Sequence, residues 1–372
     1  MESTAVRSSR EKRDGVEGGV IDCDVHNVVP SIEVLFPYLP DRWVDYMVES
    51  GIKTIEPNYY PKGVPLSARP GSEPAEGPAG SDLGLMREQL LDPWNVRYAM
   101  LNCIYGVQLI QNREWAIVMA SAMNDWQAAE WLDKDERLRA SITVSTRDPE
   151  AAAREIDCVG GHPGFTQVLL LARSEMPYGE RHYWPIYAAA GRHGLPICIH
   201  AGGSAGNPIT SVGWPSYYIE DYVVLSQAFQ AQVVSMVTSG VFSEYPGLRV
   251  VLAEAGITWL PSLMWRFDKD WKGIRRETPW VNRPPSEIIK EHMRLTLQPI
   301  DEPGNPEHLL QVIEQIGSEE MLLFSTDYPH WHFDEPDGVL PVKLPPTLER
   351  KILTENASSL YGLDVASGTN ER

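Results

Sequence analysis

Eight short apolar runs punctuate the chain, and helical patterns fill the intervals between them. The runs are GVIDCDVH (19–26), YAMLNCIY (98–105), RASITVST (139–146), FTQVLLLA (165–172), LPICIHA (195–201), LRVVLAEAG (248–256), MRLTLQPI (293–300) and MLLFSTDY (321–328). Each is mostly continuous in apolar and β-branched residues, as in a strand covered on both faces in a parallel sheet. In 113–132, Trp115, Val118, Met119, Ala122 and Trp126 share one helical face. Further helical patterns occupy 149–158, 182–192, 217–238, 306–316 and 346–361, and the pairs Asp148-Pro149 and Asn305-Pro306 suit helix starts.

Eight strands alternating with helices predict an α/β fold, a (β/α)8 TIM barrel; an open doubly wound sheet is the competitor. A barrel needs about 250 residues, so the 372-residue chain must carry insertions. The sequence places them after strands 1 and 6: the proline- and glycine-rich stretch 57–80, and 273–292 before strand seven. Both are expected to emerge at the active-site face. Residues 1–18, polar and without an apolar core segment, read as a disordered arm, and the barrel as 19–365.

Hydrophobic residues make up 43% of the chain and charged residues 22%, enough apolar material for a large core. A net charge of −19 disfavours nucleic acid and anionic membrane as partners. No run approaches the length of a membrane-spanning helix. Cys23, Cys103, Cys158 and Cys198 show no paired spacing, which suits free thiols in a reducing cytoplasm. Twelve tryptophans and fifteen tyrosines suggest a walled pocket and a covered subunit surface, as a homodimer or a heteromer.

The chemistry stands where strands should be apolar. Asp24 and His26 close the first run, His200 the fifth, Glu254 the sixth and Asp327 the eighth. In a barrel the C-terminal strand ends converge, and burying these five together without a cation would cost several kcal/mol. The pattern points to a divalent-metal site.

DCDVH, CIHAGG, AEAG with WLP, STDYPHW and the closing ENASSLYGL together resemble the amidohydrolase-related family, in the branch that contains metal-dependent decarboxylases. The resemblance runs from about residue 19 to 363. It implies metal ligation by Asp24, His26, His200 and Asp327, with Asp24 standing where most members carry histidine. Glu254 replaces a catalytic histidine of many members. It becomes a base with a raised pKa or an added ligand held ionised, so Asp327 and Glu254 are the catalytic candidates. Strand four offers neither lysine nor glutamate to bridge two ions, which favours one divalent ion, zinc ahead of iron or manganese.

His330 is placed to orient Asp327 or a water, while His332 reads as structural. Arg173 would receive a substrate carboxylate through its planar fork. The aromatic segment 214–222 would wall a pocket, and Gly202, Gly203 and Gly206 would let the backbone pass close to the metal. The implied activity on a small molecule is hydrolysis by metal-activated water or non-oxidative decarboxylation, and the residues choose neither. The alternatives are a metal-binding subunit of a non-haem hydroxylase, similar to 2-aminoisobutyrate hydroxylase, and a non-catalytic barrel.

Overall fold

The computed structural model describes residues 19–55, 68–203, 208, 210–331 and 342–364. The arm 1–18, the first part of the 57–80 insertion, Gly206 and His332 lie outside the described residues.

All eight expected strands form, in one parallel sheet whose order follows the chain. They are β1 (Val20–Val25), β2 (Val96–Leu101), β3 (Leu138–Thr143), β4 (Phe165–Leu171), β5 (Ile197–His200), β6 (Val250–Ala253), β7 (Met293–Thr296) and β8 (Leu322–Leu323). Backbone bonds close the sheet between its first and last strands: Cys23 N donates to Phe324 O, Asp327 N to Asp24 O and His26 N to Tyr328 O. The fold is therefore a (β/α)8 barrel with helices outside, and the open-sheet competitor is excluded.

The continuous apolar runs follow from this double burial. In β4, Val168 and Leu170 pack outward in the large cluster shared with the helices. Leu169 points inward with Ile21, Cys23, Met100, Cys198, Val251 and Leu323. The C-terminal helix Asn356–Tyr361 closes this inner cluster from below with Ala357, Leu360 and Tyr361. In β1 the register shifts between Asp22 and Val25. That irregularity lets Cys23 belong to the inner apolar cluster while Asp24 and His26 join the polar site above it.

Helix starts obey the local signals: Asp148 caps the helix Pro149–Val159 by accepting from Ala151 N at 2.9 Å. The segment expected as a second mouth insertion is different in kind. Residues 273–292 contain the end of the helix Leu260–Ile274 and the whole helix Pro285–His292, which runs straight into β7. A segment feeding a parallel strand reaches its N-terminal end, so this one lies opposite the active-site face. The described end of 57–80 does reach the mouth: Ala68 bridges His330, and Gly80 O accepts from Val28 N. Gly80 has φ +81°, and a Cβ there would sit 2.8 Å from His26 O, so the close crossing requires glycine. No helix among the described residues is long and apolar enough to cross a membrane.

Candidate active site

The barrel mouth gathers the five strand-end residues expected from the sequence, together with His330. Asp24, His26, His200 and Glu254 each bring one ligand atom within 4.8 Å of the others, and so do His26, Glu254, Asp327 and His330. His26 Nε2 lies 3.2 Å from Glu254 Oε1 and 3.0 Å from Asp327 Oδ1. His200 Nε2 lies 3.2 Å from both Asp24 Oδ1 and Glu254 Oε1. Asp24, His200 and Asp327 are buried almost completely.

Backbone geometry aims two of the carboxylates. Glu254 and Asp327 both have φ 60°, the left-handed region that side-chain-bearing residues seldom adopt. Glu254 is the first residue beyond β6, and Asp327 follows β8 after Phe324, Ser325 and Thr326. Such strain is typical of positions held for a function.

The imidazoles are held in the orientation that a cation requires. His26 Nδ1 donates to Asn102 O at 3.0 Å and His200 Nδ1 to Ala201 O at 2.9 Å. With Nδ1 donating to a carbonyl, each Nε2 faces the cluster, and a cation there would take the place of its proton. Asp24 Oδ2 is buried without a hydrogen-bond partner, which is costly for an ionised carboxylate unless a cation answers it. Two imidazole nitrogens and two carboxylates therefore fit a divalent ion.

Burial opposes a charge on His26, but bonds to Asp327 and Glu254 and the Asp24 charge lift its pKa to about 10. Burial likewise opposes charge on His200, and Asp24 and Glu254 outweigh it. Burial would raise Glu254, yet His200 and His26 hold it well below the ordinary carboxylate range. The acids and imidazoles of the cluster thus answer one another's charge, with Glu254 ionised against His200 and His26.

Above the cluster lies a pocket of about 680 Å³. Val28, Val29, Ile104, Tyr105, Leu225 and Pro329 give it apolar walls, and Tyr218 and Tyr222 face in from the helix Tyr218–Thr238. Only part of the aromatic segment 214–222 serves as wall, because Trp214 and Tyr217 are exposed. His330 Nδ1 lies 2.7 Å from Asp327 Oδ1. Arg173 lines the pocket but forms an ion pair with Asp221 and donates to Asp221 O at 3.2 Å. Gly203 serves Arg173 rather than the metal: a Cβ on it would lie 2.4 Å from Arg173 O.

Asn102 was not anticipated, whereas Tyr218 and Tyr222 are the aromatic part of the segment 214–222 that lines the pocket. Asn102 had a usable signal, a lone amide inside the apolar run YAMLNCIY.

The sequence profile of the amidohydrolase family matches residues 21–363. Gamma-resorcylate decarboxylase from Rhodococcus jostii (strain RHA1) is 26% identical over 300 residues, 76% of this chain and 88% of that protein. The 5-carboxyvanillate decarboxylase of Novosphingobium aromaticivorans DSM 12444 was solved with manganese and 4-hydroxy-3-methoxy-5-nitrobenzoic acid. It matches with a TM-score of 0.69 at 19% identity, over 96% of this chain and 100% of that one. Dihydroxybenzoic acid decarboxylase from Polaromonas sp. JS666, solved with manganese and 2-nitroresorcinol, gives 0.65 at 22% identity, over 93% and 97%. At these identities the structural matches establish the shared barrel.

Proposed function

The chain belongs to the amidohydrolase family, and from that premise we propose that it is a metal-dependent, non-oxidative decarboxylase of a small hydroxylated aromatic acid. The observation that carries this reading is Asp327, a buried carboxyl directly behind two residues that line the pocket, 2.7 Å from His330 Nδ1 and 3.0 Å from His26 Nε2. Decarboxylation needs one proton delivered to one carbon. The bond to the carboxyl carbon breaks, its electron pair stays on the ring, carbon dioxide leaves, and the ring carbon takes a proton. Asp327 supplies that proton, and His330 holds its carboxyl in place.

The cation is held by Asp24, His26, His200 and Glu254, with Glu254 as the added ligand, and Asp327 keeps its catalytic role without ligating. A carboxylate-rich set suits manganese better than zinc, and both decarboxylase structures described above were solved with manganese. When bound, the ion supplies a fixed positive charge for the substrate's carboxylate and the oxygen beside it. The apolar walls and the two tyrosines exclude water from a flat ring. Arg173 stands on the pocket wall with its charge answered by Asp221. The relatives compared are named as decarboxylases, which favours this reading over hydrolysis and over the oxygenase-subunit alternative.

The test is turnover by manganese-loaded protein of dihydroxybenzoic acids that carry a hydroxyl beside the carboxylate. Carbon dioxide release, with deuterium entering the vacated ring position in heavy water, is expected. Protein holding stoichiometric manganese but releasing no carbon dioxide from any such acid would overturn the proposal.

A further inference from the structure

Beneath the metal ligands, a line of buried amides crosses the barrel interior. Asn102, just past β2, donates from Nδ2 to Asp24 Oδ1 at 2.8 Å. Gln167 of β4 donates from Nε2 to Asn102 Oδ1 at 3.1 Å. Tyr361, the last residue of the C-terminal helix, donates its hydroxyl to Gln167 Oε1 at 2.8 Å. Ser141 of β3 braces the middle, donating to Asn102 Oδ1 at 2.5 Å and accepting from Gln167 Nε2 at 2.9 Å. Asn102, Ser141 and Gln167 have no measurable exposure.

Two features set this line apart from ordinary core satisfaction. First, every donor points the same way, from Tyr361 through Gln167 and Asn102 to the Asp24 carboxylate, so each bond polarises the next toward the negative charge. Second, Asn102 grips both ligands of strand one. Its side chain holds Asp24, while its backbone carbonyl fixes the His26 tautomer. No polar side-chain atom of these four residues is left buried without a partner. The network is complete, and a break anywhere leaves an unpaired group in the core.

We infer that Tyr361, at the far end of the barrel, is a positioning residue for the metal site, acting on Asp24 through Gln167 and Asn102. The C-terminal helix does more than plug the floor. It anchors a hydrogen-bonded line that orients Asp24 and stabilises its charge, and so sets the affinity for the cation. This rests on the reading that Asp24 is a ligand.

The test uses the full chain and measures manganese affinity by equilibrium dialysis and the electron paramagnetic resonance spectrum of the bound ion. Wild-type protein that binds no manganese would refute the metal reading itself, independently of the relay. Given wild-type binding, Asn102→Ala should weaken it by about 10–100-fold, as loss of a group that orients a ligand does. Tyr361→Phe keeps the ring in the floor and removes one hydrogen bond, and should weaken manganese by about 2- to 10-fold. In the double variant the Tyr361 effect should vanish, because its route to Asp24 is already cut. Should Asn102→Ala fail to fold, Gln167→Leu provides the second break. A structural role alone would lower thermal stability in Tyr361→Phe and leave manganese affinity and spectrum unchanged. Either that result or effects that simply multiply in the double variant would overturn the inference.

Discussion

The two ends of the barrel interior are made from the same strands, a few residues apart, and follow opposite rules. On β5, Cys198 belongs to the apolar floor and His200 to the mouth. On the first strand, Cys23 lies in the floor and Asp24 in the site; beyond β8, Leu323 gives way to Asp327 in the same manner. The floor gains stability from apolar burial, worth about 25 cal/mol per Å² removed from water. The mouth gathers three carboxylates and three imidazoles at a desolvation cost offset by one another, by hydrogen bonds such as that from Asn102 to Asp24, and by a cation. Stability and chemistry are thus assigned to successive levels of one set of strands, with the line from Tyr361 to Asp24 joining them.

If that division is right, substitutions at the two levels should separate activity from stability. The largest effect is expected at the mouth. Asp327→Asn should lower turnover by about 10²–10⁴-fold, the usual worth of general acid–base catalysis. Its melting temperature should hold or rise, since one of three crowded carboxylates is neutralised. A melting temperature falling as far as that of a floor variant would erase the distinction between the levels.

The floor should answer in the other currency. Leu169, fully buried in the inner cluster, should cost about 2–5 kcal/mol of unfolding free energy on truncation to alanine. Denaturant unfolding measures that loss, while the folded protein keeps its manganese affinity. A matching loss of affinity would show that the site depends on floor packing as a whole rather than on the polar line.

The smallest effect lies outside both levels, just ahead of β3. Asp135 accepts from Arg87 Nε and from Arg137 Nη2, each at 2.8 Å, and Arg137 holds its carboxyl well below the ordinary range against the effect of partial burial. A lowered folded-state pKa contributes stability above the unfolded value and loses it as pH falls through the folded one. Asp135→Asn should therefore cost about 1 kcal/mol at neutral pH, as in a partly solvated ion-pair network. The gap from wild type should narrow on acidification below about pH 4. Paired melts at pH 7 and pH 3 check this, and a gap that widens in acid would contradict it.

By itself the sequence determined the eight strands, their alternation with helices and the residues at which apolar runs break into acids and histidines. Those signals are local: a doubly buried strand must be apolar along its length, and a polar residue at its end stands out against that background. The arrangement within the site was settled only by tertiary structure. The grouping of Glu254 with Asp24, His26 and His200 depends on a left-handed turn at Glu254 and on barrel closure between residues far apart in the chain. Sequence spacing does not encode contacts of that range. The charge of Arg173 looked available for substrate until folding set Asp221 beside it. Asn102, Gln167 and Tyr361 read as isolated polar residues in three separate segments. They become a line because the strands tilt around a common axis and bring one polar side chain from each to successive depths of the same interior.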